Sequence, residues 1–132
     1  MSSVITALDP ELRQVLDGTP IAHLATVLPD GAPHTVPVWI GTHHDHVIFI
    51  TGPESQKARN LRHDPRVAIS LTLPDNPHAP VVLRGTVVGW LDGREGWEVV
   101  DGIAQKYIGA PYGRDVERVV GMIEVDYLKI GM

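Results

Sequence analysis

Short apolar, β-prone runs bounded by turn residues make up most of this chain, and the pattern shifts to helical spacing in three short stretches. Asp9-Pro10-Glu11 ahead of Leu12, Val15 and Leu16 predicts a first helix, with Asp9 as cap, Pro10 in the first turn and Gly18 as stop. Ile21 to Leu28 is apolar and β-prone, Pro29-Asp30-Gly31 supplies a turn, and His34 to Gly41 resumes the extended pattern. A polar turn at Thr42-His43-His44-Asp45 leads to a third strand, Val47 to Thr51, so the opening reads as a three-strand meander.

After Gly52-Pro53 the pattern becomes helix-compatible from Ser55 to Arg62 and stops near His63-Asp64-Pro65, because proline disfavours helical geometry in the residue before it. Val67 to Leu73 predicts a fourth strand, and the proline-rich run Pro74 to Pro80 a loop, suited to a lid or a subunit contact. Val81 to Trp90 predicts a fifth strand, in which Gly85 and Gly89 signal bulges or close backbone approach. Glu98, Val99, Val100, Ile103, Ala104, Tyr107 and Ile108 repeat at helical spacing, Gly109 to Gly113 ends that helix, and a last strand runs from about Arg118 to Leu128. Six strands and two or three short helices predict a closed antiparallel sheet, a small β-barrel, formed by residues 1–132 as a single domain.

Composition narrows the function classes. With 43% hydrophobic and 20% charged residues the chain can bury a core, and a formal charge of −5 gives no support to a general nucleic-acid binder. The absence of cysteine removes disulfides, thiolate metal sites and cysteine nucleophiles, and a cytoplasmic address is the natural expectation. Met1 to Asp9 lacks the pattern of a signal peptide, and no apolar run approaches the ~20 residues of a spanning helix.

Positive charge is concentrated locally: Lys57, Arg59, Arg62 and Arg66 fall within ten residues. They follow a strand ending at Thr51 and enter a helix whose free amides point back at the strand end, an arrangement that suits phosphate. The hydroxyls of Thr51 and Ser55, the amides of Gln56 and Asn60, and the Lys57 ammonium complete such a shell. The same bases also fit a solvated helix face.

His43-His44-Asp45-His46 resembles a metal cluster in composition. In a strand, however, residues 44 and 46 would share one face while 43 and 45 take the other, so no native metal is expected. Ser55 and Ser70 lack a nucleophile elbow, Asp92, Glu95, Glu98 and Asp101 read as favourable charge near a helix start, and no glycine-rich dinucleotide or P-loop is present. Trp39, Trp90 and Trp97 suit either core and dimer packing or a planar ligand.

The ordered segments Leu24-Ala25-Thr26, Asp30-Gly31, Pro33-His34, Val36-Pro37-Val38, Thr51, Ser55-Gln56-Lys57-Ala58-Arg59-Asn60-Leu61 and Asp64-Pro65-Arg66-Val67 resemble the pyridoxamine 5′-phosphate oxidase-like superfamily of split β-barrel flavin and deazaflavin oxidoreductases, from about residue 12 to 128. The resemblance implies a homodimer holding two cofactors between its subunits. It matches Lys57 to the phosphate anchor, Thr51 and Ser55 to neighbouring phosphate contacts, Gln56 and Asn60 to the same turn, and Val36, Pro37 and Val38 to the strand lining the ring. Thr35 and Ile40 stand where the flavin mononucleotide (FMN)-dependent pyridoxamine phosphate oxidases usually carry arginine and lysine. The chain thus looks more like the branch using 8-hydroxy-5-deazaflavin, coenzyme F-420, whose anionic tail gives Lys57, with Arg59 or Arg62, an electrostatic task. The implied activity is transfer of a hydride to a small planar or conjugated substrate. FMN is the alternative cofactor, a non-catalytic coenzyme carrier the alternative role, and a partner-binding barrel without cofactor a third class. No catalytic residue is assigned; His34, Tyr112 and solvent are all available as proton sources.

Overall fold

The computed structural model describes residues 8–131; residues 1–7, read above as carrying no signal peptide, lie outside that range. Three helices and seven strands follow one another as α1 (Pro10–Asp17), β1 (Ala22–Val27), β2 (Pro33–Val38), β3 (Ile40–His43), β4 (His46–Thr51), α2 (Gln56–His63), β5 (Arg66–Leu73), β6 (Asn76–Leu91), α3 (Gly93–Ile108) and β7 (Val119–Ile130). All strand pairs are antiparallel, in the order β2-β1-β5-β6-β7-β4-β3. The mainly β, split-barrel architecture therefore stands, with one strand more than the hydrophobic pattern predicts.

The additional strand comes from a corner at Trp39. The segment expected as one strand, His34 to Gly41, divides into β2 and β3, which pair with β1 and β4 respectively and occupy opposite edges of the sheet. Two edges separated by one residue of chain can coexist only if the sheet curls until they meet. The Ile50 amide donates to the Trp39 carbonyl at 3.4 Å across that seam. The expected three-strand meander is thus replaced by two hairpins on opposite edges. Pro33 and Pro37 supply part of the reason: lacking N–H donors, they suit an edge strand better than a central one.

Two further boundaries differ from the pattern. Only Pro74 and Asp75 separate β5 from β6; Asn76 to Pro80 is extended and paired with β5 through a register shift at Thr72/Leu73, an irregularity that accommodates prolines within a sheet. The hairpin arrangement leaves no long loop there. Helix α3 starts at Gly93 instead of Glu98, with Asp92 before it and Glu95 in its first turn. Gly85 and Gly89 do mark irregular pairing, since the β6–β7 register shifts at Arg84/Gly85 and Val87/Gly89.

Strand β4 joins two cores because alternate residues leave it on opposite faces. Val47 and Phe49 enter the barrel cluster with Leu24, Ile69, Leu83 and Ile123, while Ile48 and Ile50 meet Val100, Ile103 and Val120 beneath α3. Each fully buried Leu, Ile or Phe contributes ~1.5–3 kcal/mol from removal of apolar surface. Helix α1, capped by Asp9 accepting from the Glu11 and Leu12 amides, adds Leu12 and Leu16 to the barrel cluster. Lys106 of α3 donates to the carbonyls of Leu16 and Gly18 at 2.5 and 2.7 Å, covering the carboxyl end of α1, and burial brings its ammonium down to about 8. None of the described helices is long and apolar enough to cross a membrane.

Candidate functional site: a two-cation cleft at the barrel seam

The chain leaves β4 at Thr51 and enters α2 within a few residues, so strand end and helix start meet at one point. Ser55 caps the helix: its hydroxyl accepts from the Ala58 amide at 3.2 Å and lies 2.7 Å from the Thr51 hydroxyl. Amides at the start of α2 face outward without carbonyl partners from their own helix, which gives this corner a partial positive charge. A cleft of about 630 Å³ opens here. Thr51, Gly52, Ser55 and Lys57 form one side, Pro37, Val38 and Trp39 an apolar side, and Tyr112, Glu117 and Arg118 the third.

Lys57 and Arg118 give the cleft its character. Both are half-buried, and among the described residues neither forms a salt bridge. Burial first, and the Arg118 guanidinium second, hold the Lys57 ammonium below its usual range. Arg118 Nε donates to the Tyr112 hydroxyl at 2.9 Å and its Nη1 to the Glu117 carbonyl at 2.8 Å. A Cβ at Gly52 would come within 3.3 Å of Arg118 Nη1, so the guanidinium lies close over the strand-to-helix turn. Two like charges held together across from the apolar Pro37-Val38-Trp39 side are relieved by an anion. The apolar side ends in an aromatic group: Trp39 stacks on Tyr107 at 5.1 Å with parallel rings, and meets Tyr112 edge-on at 5.8 Å.

Of the residues singled out in the sequence, Pro37, Val38, Thr51, Ser55 and Lys57 converge on the cleft. Val36, Gln56 and Asn60 are not among its lining residues. Val36 packs against the barrel core. Asn60 is fully buried, its Nδ2 donating to the Thr26 hydroxyl at 3.0 Å and its Oδ1 accepting from Gln56 Nε2 at 2.7 Å; Gln56 Oε1 accepts in turn from Arg59 at 2.8 Å. This chain of bonds ties α2 to β1 behind the capped turn. Asn60→Ala is accordingly expected to lower stability by ~1–3 kcal/mol by stranding the buried Thr26 hydroxyl, with a smaller effect on ligand affinity than any change at Lys57; paired denaturant and ligand titrations check this.

Arg59 and Arg62, expected beside Lys57, do not line the cleft. Arg59 donates to the Glu54 carbonyl, and Arg62 to the Pro53 carbonyl at 2.9 Å with Glu54 3.8 Å away. The second cation is Arg118, which the sequence pattern offers only as the start of the last strand. His34 also lies outside the cleft, its Nδ1 buried without a partner, whereas Tyr112 lies inside. Trp90 packs on Phe49 in the core at 5.9 Å and Trp97 beneath Arg114 at 3.8 Å, so of the three tryptophans only Trp39 borders the cleft. In the histidine run, His43 and His46 are cross-strand partners flanking a turn in which His44 takes φ 55°, in line with the polar turn expected at Thr42 to Asp45. Among the described residues no group of three or more potential metal ligands converges.

Comparison with known proteins agrees with the fold. A family model described as pyridoxamine 5′-phosphate oxidase matches residues 8–124. Among solved structures, an F420 reductase superposes with a TM-score of 0.76 at 27% identity, covering 89% of this chain and 94% of its own. A haem-binding protein from Mycobacterium smegmatis gives 0.72 at 25% identity over 91% of this chain and 52% of its own. A conserved hypothetical protein from Mycobacterium tuberculosis, 24% identical, shares the fold at 0.77 over 99% and 88%. No curated protein matches the chain. The split barrel defines the class, and the chain belongs to the pyridoxamine 5′-phosphate oxidase family.

Proposed function

We propose that this protein is an oxidoreductase that binds reduced coenzyme F-420 in the seam cleft and transfers a hydride to a small planar or conjugated substrate. The observation that carries the reading is the pairing of two cations, Lys57 and Arg118, with an apolar Pro37-Val38-Trp39 side in one cleft. That donor set fits a ligand with a planar ring and an anionic tail. Lys57, Arg118, the Ser55 and Thr51 hydroxyls and the first amides of α2 would hold the tail, while Pro37, Val38 and Trp39 exclude water from the ring. When bound, the reduced deazaflavin supplies a hydride from its ring carbon C5. Tyr112 accepts from Arg118 through its oxygen, leaving its own O–H free to deliver a proton at that oxygen's edge of the cleft. A second copy of the chain completes the cleft in this reading.

The similarity to an F420 reductase supports this cofactor, as do Thr35 and Ile40. Ile40 is fully buried in the barrel core, so it offers no cationic contact of the kind the FMN enzymes use. FMN remains the second reading because the matched family is that of a flavin-linked oxidase and the same two cations suit its phosphate. Side-by-side titration of the purified protein with coenzyme F-420 and FMN, followed by absorbance and fluorescence, tests the choice. Tighter F-420 binding that weakens with added salt is expected; preference for FMN overturns the cofactor, and binding of neither overturns the reading. Turnover with a panel of enones, quinones and tetrapyrroles then separates an enzyme from a carrier.

A further inference from the structure

The wall that carries Arg118 into the cleft is a segment without regular secondary structure, residues 109–118, between α3 and β7. Such a segment must be fixed from outside if its guanidinium is to stand at a defined place beside Lys57. One side chain of α3 does most of this. The Asp101 carboxylate accepts from the Tyr112 amide at 3.1 Å and takes both arms of Arg114, Nη1 at 2.9 Å and Nη2 at 2.7 Å. Arg114 Nη1 also donates to the Tyr112 carbonyl at 2.7 Å, and its guanidinium lies 3.8 Å above the Trp97 ring. Tyr112 is thus gripped through both its backbone groups, and its hydroxyl in turn receives the Arg118 Nε bond at 2.9 Å.

We infer that Asp101, acting through Arg114 and Tyr112, is a positioning residue that sets Arg118 as the second cation of the cleft. The inference rests on the seam cleft being the anion site. Asp101 is not among the residues lining the cleft, and a planar two-armed carboxylate–guanidinium pair stacked on an aromatic ring resists rotation in a way a single bond does not. Fixing Arg118 in advance lowers the ordering cost of binding, which should appear as affinity.

The test uses Asp101→Ala and Arg114→Ala, alone and combined with Arg118→Ala, with Asp101→Glu as the conservative variant. Amide hydrogen exchange at Tyr112 in the ligand-free protein is expected to accelerate about tenfold or more in both single variants and to be partly restored in Asp101→Glu, with global melting little changed. Affinity for coenzyme F-420, or for FMN if that is the ligand bound, is expected to fall about tenfold, with no further fall once Arg118 is already alanine. Additive losses in the combined variants overturn action through Arg118, and unchanged exchange at Tyr112 overturns the clamp. If the unaltered protein binds neither coenzyme, the proposed function fails, and the exchange result alone decides whether Asp101 fixes the wall.

Discussion

Lys57→Ala is expected to weaken binding of coenzyme F-420 or FMN about 10- to 150-fold, corresponding to ~1.5–3 kcal/mol for a hydrogen bond to a charged group. The effect is large because the lysine is half-buried beside a second cation, so its charge is both less screened than a surface lysine's and without a carboxylate partner among the described residues. The pH dependence has a defined sign. Burial, then Arg118, lowers the pKa of Lys57, so the ammonium is lost on raising the pH before an ordinary lysine at 10.5 would lose it. Affinity should therefore hold constant at neutral pH and decline below the ordinary lysine range. An anion in the cleft favours the ammonium, so binding takes up protons in that window. Folding stability of the ligand-free protein runs the other way: between the lowered value and 10.5 the unfolded chain binds more protons, and stability attributable to this group rises with pH. Arg118→Ala removes the secondary cause and should move the decline in affinity to higher pH while weakening binding overall. Isothermal titration in buffers of different ionisation heat measures both proton uptake and affinity. An affinity indifferent to Lys57→Ala removes the anchor.

Lys57 was legible in the sequence because everything that positions it is local. A strand end at Thr51 and a helix from Ser55 to a stop before Pro65 are read within one short stretch of chain; the structure has β4 ending at Thr51 and α2 at Gln56–His63, with Ser55 as its cap. Arg118 was not legible for the opposite reason. It reaches the cleft through the β4–β7 pairing, in which Thr51 faces Val119, and no periodicity encodes which distant strand lies next to β4. Asn60 misled in a different way. A polar residue one turn from a lysine matches a ligand shell as well as a buried tie between helix and sheet, and only its complete burial against Thr26 separates the two. At Trp39 the apolar run Val36 to Ile40 continues unbroken through a corner where the chain changes edges. The pleat period records which face a residue takes and is silent about which neighbour its strand pairs with.

Gly121→Ala is expected to be among the most destabilising single substitutions in the protein, and to impair the cleft as well. Gly121 sits directly across from Phe49 in the β4–β7 pair, and a Cβ there would lie 2.4 Å from two carbons of the phenyl ring. Phe49 has nowhere to retreat: it is fully buried and held edge-on by Trp90 at 5.9 Å. Relief must come from off-rotamer strain or from parting the strands, at a cost of ~1–3 kcal/mol or more, which for a domain of this size lowers Tm by roughly 5–15 °C. Parting β4 from β7 also displaces Thr51 relative to Val119, and with it the two sides of the cleft that carry Lys57 and Arg118. Affinity for the anionic ligand should therefore fall along with Tm, unlike Asn60→Ala, which acts mainly on stability. Phe49→Leu tested in the Gly121→Ala background identifies the cause, because a smaller side chain removes the clash while leaving its own cavity. The double variant should be more stable than the sum of the two single losses, with non-additivity of ~1 kcal/mol or more. Strict additivity, or an unchanged Tm for Gly121→Ala alone, would show that the ring and the glycine are not in the contact that sets the β4–β7 spacing.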